Sequence, residues 1–149
     1  MSRSHKHVTR STFSAETLAC VATADDMFPI VFTLHEVATG TVSTSNAKLL
    51  WTNGGFAFKM SLSVDAMSLF AAIAAHTVRI PSEKNLAVHL FWLRDLLNRN
   101  VLTSLEWCDT RDMNADGHTK GSIDRDAILQ LMRGHFKYQH PVKTYPSPK

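Results

Sequence analysis

The chain has 149 residues, of which 44% are hydrophobic and 19% charged, as is ordinary for a globular protein. This length predicts one domain with a hydrophobic core. The longest apolar run, residues 69–75, is too short to span a bilayer, so we expect no membrane partner. No apolar secretory segment follows the basic N-terminus, and two cysteines make no disulfide framework. We therefore expect an intracellular protein, cytoplasmic or nuclear, that is not secreted.

The net charge of +3 is unevenly distributed. Residues 1–10 carry three Lys or Arg and residues 131–149 carry four, and neither segment contains an acid. All thirteen acids therefore lie between these segments, with the remaining nine bases. Basic ends on an acidic body suit a phosphate-rich partner such as nucleic acid. Solvated tails that keep the protein soluble are the equally good alternative.

The N-terminal third predicts helix followed by a long connection. A hydroxyl at Ser11 or Thr12 is placed to cap a helix whose apolar side continues to residue 27. Pro29 predicts a kink or an end just before it, and residues 30–37 form a second apolar segment. Residues 38–57 are rich in Gly, Thr, Ser and Asn and predict a connection with a short strand or helical turn near residues 47–51.

The middle and C-terminal parts alternate between strand and helix patterns. Residues 59–65 and 102–109 alternate as strands, and residues 66–75 and 123–135 predict helices. Between them, a helix beginning near Pro81 and capped by Ser82 carries a leucine stripe. That stripe consists of Leu86, Leu90, Leu93 and Leu97. The pattern predicts an α/β fold with a small mixed sheet flanked by helices.

Three carboxylates, Asp109, Asp112 and Asp116, fall within eight residues after the second strand. The pattern Asp-x-Asn-x-Asp-Gly over residues 112–117 matches the first half of an EF-hand calcium loop. The second half does not match, because its twelfth position is Ile123 rather than a bidentate Glu, and a strand precedes the loop where an EF-hand has a helix.

A second hypothesis combines acids from distant parts of the chain. Glu16 lies early in the first helix, Asp65 at the end of the first strand, and Asp116 before the last helix. Carboxylates that meet at one sheet edge hold two Mg²⁺ ions in enzymes that hydrolyse phosphodiesters. The alternative for Asp65 is that it only caps the helix after it.

Four motifs, in order, resemble the ribonuclease H region of the Pol polyprotein of copia-type LTR retrotransposons. Residues 8–16, VTRSTFSAE, resemble that family's entry into its first helix, and residues 63–69, SVDAMSL, resemble a strand end. The sequences EKNL at residues 83–86 and LRDLL at residues 93–97 resemble a helix of the family. Residues 105–120, LEWCDTRDMNADGHTK, resemble its block ending in Ala-Asp-Gly.

The resemblance implies a ribonuclease H-like fold over residues 8–135, between a basic segment at residues 1–7 and a basic, Pro-containing tail at residues 136–149. It assigns Glu16, Asp65 and Asp116 as catalytic ligands of Mg²⁺ or Mn²⁺. With Asp116 in that role, we expect Asp109 and Asp112 to be solvated loop acids. It also implies hydrolysis of the RNA strand of RNA·DNA hybrids, with an upstream reverse transcriptase portion as a possible partner.

The family's first strands, one of which carries a further metal-binding Asp, have no counterpart before Val8. We therefore expect an incomplete, N-terminally truncated sheet. Whether this chain is an enzyme is left open by that difference. The alternative is a catalytically dead retroelement remnant that only binds nucleic acid.

Overall fold

The computed structural model describes residues 12–113, 129–130, 132–135 and 137–146. These residues form a mixed α/β fold in which four α-helices accompany a small three-stranded sheet. The elements are α1 (Thr12–Thr39), α2 (Thr44–Asn53), β1 (Ser61–Val64), α3 (Met67–Ala74), α4 (Ala87–Asn98), β2 (Ser104–Trp107) and β3 (Lys143–Tyr145), with 3₁₀ turns at Lys84–Leu86 and Thr110–Asp112.

The sheet has the strand order β1-β2-β3, in which β1 and β2 are parallel and β3 is antiparallel to β2. Leu62 lies opposite Leu105, and Leu105 lies opposite Tyr145, so these side chains share one face. Helices α1 and α3 pack against the sheet, and α4 packs on both helices. The predicted α/β class with a small mixed sheet is confirmed.

The leucine stripe of α4 forms the centre of the core, as its spacing predicts. Leu90 and Leu93 are fully buried, and Leu86 and Leu97 are almost so. The predicted capping by Ser82 is wrong, because the 3₁₀ turn Lys84–Leu86 comes first and α4 begins at Ala87 without a side-chain cap.

Pro29 does not end the first helix, so the predicted helix end before it is wrong. Helix α1 continues through it for 28 residues and joins the two predicted segments into one element. The missing N–H of Pro29 leaves the carbonyl of Asp25 without its helical donor. Because Asp25 and Pro29 are both exposed, that carbonyl faces solvent, where water replaces the lost hydrogen bond at low cost.

Helix α2 lies within the segment that the sequence predicts as a connection. The hydroxyl of Ser43 accepts a hydrogen bond from the backbone N–H of Asn46 at 3.3 Å and so caps the helix. The helix ends at Gly54, whose φ of +73° favours glycine. A Cβ at Gly54 would collide with the backbone carbonyl of Asn100, so this glycine also allows a close approach.

Helix α1 is long and apolar enough to cross a membrane by length and composition. Core helices of soluble proteins and signal sequences near an N-terminus pass the same test, and 28% of the apolar window of α1 is buried. Here α1 buries one face against the rest of the fold, and Cys20, Ala24 and Phe28 lie on that face.

Strand β3 lies in the segment that the sequence predicts as a basic tail. Its three residues pair with β2, so the C-terminal part of the chain adds the third strand of the sheet. Most of the helix predicted at residues 123–135 lies outside the described residues.

Candidate functional site

The candidate site lies where β1 and β2 end. These strands are parallel, so their carboxyl ends meet at one edge of the sheet, where α/β proteins place ligand-binding groups. Asp65 directly follows β1, and its backbone carbonyl accepts a hydrogen bond from Trp107 Nε1 at 2.8 Å. Cys108 follows β2, and its N–H donates to the carbonyl of Val64 at 3.0 Å. These two bonds fix the strand ends side by side.

Glu16 of α1 lies close enough to Asp65 for the two charges to interact. Partial burial of Glu16, followed by the negative charge of Asp65, raises the pKa of the Glu16 carboxyl above its ordinary value. Neither carboxylate forms a hydrogen bond or ion pair with any residue in the described part of the chain. The fold therefore brings two predicted site residues close enough to interact as a like-charge pair, which no described residue neutralises by an ion pair.

Asp65 does not cap the helix that follows it. The residue at the capping position of α3 is Ala66, and no side chain makes a capping hydrogen bond there. The capping alternative is therefore not what the structure contains. Among the described residues, the carboxylate of Asp65 has no hydrogen-bond partner.

The carboxylates at this edge also affect the pKa of the buried Cys108 thiol. Burial raises its pKa first, and the charges of Asp65, Asp112 and Glu106 raise it further. Because three carboxylates act on one atom, negative potential is concentrated at the ends of β1 and β2. The other cysteine, Cys20, lies elsewhere in the core, where burial raises its pKa to about 12.

Two loop acids have structural partners, although the sequence predicts them to be solvated. Asp109 caps the 3₁₀ turn and forms a two-point ion pair with Arg111, which is the largest reason why its pKa is lowered. The side chain of Asp112 is only 6% exposed and accepts hydrogen bonds from the backbone N–H of His140 at 2.8 Å and from its Nδ1 at 3.1 Å. Burial of Asp112 acts to raise its pKa, but these hydrogen bonds prevail and lower it.

The third predicted ligand, Asp116, lies outside the described residues, as does most of the EF-hand pattern. Strand β2 and a 3₁₀ turn precede that pattern, rather than the helix of an EF-hand. Among the described residues, no three His, Cys, Asp or Glu side chains are grouped closely enough to hold a metal ion. Glu16 and Asp65 thus supply two hard oxygen donors of the kind that Mg²⁺ prefers.

A polar network beside the site was not predicted from the sequence. Ser61, Ser63, Ser104 and Glu106 share the sheet face opposite the core, because their register places them together. Tyr138 joins this face, with its hydroxyl 2.8 Å from Ser63 Oγ and 3.2 Å from Glu106 Oε2. Alternating serines in β1 are the only sequence signal for it, and nothing local identifies Tyr138 as a partner.

The C-terminal segment, residues 137–146, is held beside the site by several further contacts. The guanidinium of Arg94 stacks over the Tyr145 ring at 4.4 Å, and Lys143 Nζ lies 5.7 Å from the centre of the Trp107 ring. Arg94 also donates hydrogen bonds to the carbonyls of Ile73 and Ala75 at the end of α3. The C-terminal segment therefore contacts α4 through Tyr145 and β2 through Lys143, beside the acidic edge.

The chemistry available at this edge is that of carboxylates. Glu16 and Asp65 repel each other, and a cation between them would remove the repulsion. Comparisons with family models, with curated proteins and with solved structures found no match.

Proposed function

We propose that the chain is a ribonuclease H-like domain that hydrolyses the RNA strand of RNA·DNA hybrids with the help of Mg²⁺ or Mn²⁺. The observation that carries the proposal is the like-charge pair of Glu16 in α1 and Asp65, which follows β1 at the edge where two parallel strands end. The four motifs in family order support this reaction, and the resemblance to the retrotransposon region supports this substrate.

Glu16, Asp65 and Asp116 are the residues proposed to hold the ions. A divalent ion bound there would activate a water molecule and stabilise the leaving 3′ oxygen of the RNA. Asp116 is four residues beyond Asp112, whose charge acts on Cys108 beside the site.

Substrate contact would come from basic groups around the acidic edge. In the C-terminal segment, Lys137 and Lys143 are exposed, and Arg111 is exposed on the turn after β2. These cations would bind the phosphates of the hybrid, and the carboxylates would hold the metal ion at the bond to be cleaved. This division of charge explains why a protein with a basic net charge has an acidic site.

The direct test is cleavage of an end-labelled RNA·DNA hybrid in Mg²⁺ by the wild-type protein, with double-stranded DNA and double-stranded RNA as substrate controls. The proposal predicts nicking of the RNA strand of the hybrid alone, and its loss in Asp116→Asn. Equal cleavage by wild-type and Asp116→Asn would contradict the proposal.

The second candidate function is nucleic-acid binding without catalysis. It is favoured by the observation that the described residues supply a pair of ligands rather than a group of three. Hybrid binding measured over a salt titration separates the two functions. Salt-sensitive binding without any nicking supports the non-catalytic function, because phosphate contacts alone give that dependence.

A further inference from the structure

A cavity at the first turn of α1 shares no wall residue with the carboxylate site. It has a volume of about 350 Å³ and lies between the start of α1, helix α3 and the connection before α4. Its wall includes Phe13, Ala72, Pro81 and Leu86. Volumes of about 300–1,000 Å³ and mainly apolar walls are typical of sites for small organic ligands.

The cavity is built on fixed elements. Ala72 and Leu86 are buried members of α3 and of the 3₁₀ turn before α4. Ser14, which is buried in α1, donates a hydrogen bond of 2.7 Å to Glu83 and so joins α1 to the connection. Packed helices and the hydrogen bond between Ser14 and Glu83 hold the wall in place. The cavity therefore does not require a ligand in order to form.

Its rim has a cation and an exposed apolar side chain. Arg79 is exposed and lines the cavity, and its guanidinium makes no hydrogen bond or ion pair with any residue that the structure describes. Ile80, next to it, is 66% exposed although it is large and apolar. Glu83 also lines the cavity, but its carboxylate already accepts the hydrogen bond from Ser14.

We infer that this cavity binds a small organic anion that has an aromatic or branched apolar body and one carboxylate. The body lies against Phe13 and Leu86, and Ile80 covers it. The carboxylate pairs with Arg79, whose planar guanidinium matches the geometry of a carboxylate in a two-point contact. Glu83 disfavours a second negative charge on the ligand, which restricts the class to monoanions.

The test uses three probes with one body and different head groups: phenylacetate, 2-phenylacetamide and 2-phenylethylamine. Binding is measured by two-dimensional amide NMR on the whole chain. Phenylacetate is expected to bind about tenfold more tightly than the amide. The shifts should fall on Phe13, Ala72 and Leu86.

Two variants and one control locate the interaction. Arg79→Gln, an exposed and conservative change, should reduce phenylacetate binding to the level of the amide and leave amide binding unchanged. Ala72→Leu should fill the cavity and weaken all three probes. Lys84→Gln, an exposed cation of the same connection outside the cavity wall, should change nothing. Preference for the amine, shifts away from the cavity, or no binding of any probe would overturn the inference.

Discussion

The like-charge pair of Glu16 and Asp65 predicts that removing one of the two carboxylates stabilises the protein when no metal is present. In Glu16→Gln the cost of partly burying a charge and the smaller repulsion from Asp65 both disappear, and the side chain keeps its shape. Glu16 is only partly buried, so the expected gain at neutral pH is that of a partly screened pair, about 0.3–1 kcal/mol. For a chain of 149 residues this raises Tm by about 1–3 °C.

The pH dependence of this gain follows from the direction of the pKa shift. The pKa of Glu16 is higher in the folded protein than its ordinary value of 4.5, so the folded state favours the protonated form. Below pH 4.5 the carboxyl is protonated in both states and the penalty is absent. The penalty develops as the pH rises from 4.5 to the folded pKa and is complete above it. Glu16→Gln should therefore be more stable than wild-type at pH 7 and equally stable at pH 4.

In Mg²⁺, the wild-type protein should become more stable than Glu16→Gln. If the wild-type site binds Mg²⁺ with a Kd of about 1 mM, 10 mM Mg²⁺ stabilises it by about 1.4 kcal/mol, while Glu16→Gln gains much less. The assay is urea unfolding followed by tryptophan fluorescence, in EDTA and in Mg²⁺. Asp26→Asn, an exposed acid of the same helix, is the matched control. A Glu16→Gln variant no more stable than wild-type in EDTA at pH 7 would refute the reasoning.

Three further predictions concern the contacts around the site. In urea unfolding, Asp112→Asn should destabilise the protein at pH 7. This destabilisation should become smaller as the pH falls below about 4, because the lowered pKa of Asp112 contributes its full stability only above the ordinary value of 3.8. A destabilisation that does not change with pH would contradict this. Arg94→Met should lower the free energy of unfolding by about 2–3 kcal/mol in the same assay, because two backbone carbonyls lose a charged donor. Arg133→Met, at an exposed position, should change the free energy of unfolding little. Pro29→Ala should raise Tm in calorimetry, because the helix regains a hydrogen bond inside α1; a lower Tm would show that the proline fits the helix without cost.

Periodic patterns predicted the core elements well. The leucine stripe of α4 and the alternation of Met60, Leu62 and Val64 each identify one buried face, because burial depends on spacing within a single element. The same reasoning placed Asp65 at a strand end and Glu16 in the first helix. Their proximity could not be derived from spacing, because it depends on how α1 packs against β1.

Features that depend on distant partners were missed. Strand β3 is three residues long, lies in a basic segment with prolines, and becomes a strand only by pairing with β2. Pro29 was treated as a helix end because the sequence does not reveal that its turn faces solvent. Asp112 was taken for a solvated loop acid, because its partner His140 is 28 residues away.

The measurement that tests the central claim most directly is hybrid cleavage in Mg²⁺ by Glu16→Gln and Asp65→Asn, each compared with wild-type and with Asp26→Asn. The account predicts that wild-type and Asp26→Asn cleave the RNA strand at the same rate. It also predicts that each of the two site variants loses cleavage at least a hundredfold while still binding the hybrid. Cleavage by both site variants at the wild-type rate would contradict the claim that these two carboxylates form the metal-binding site.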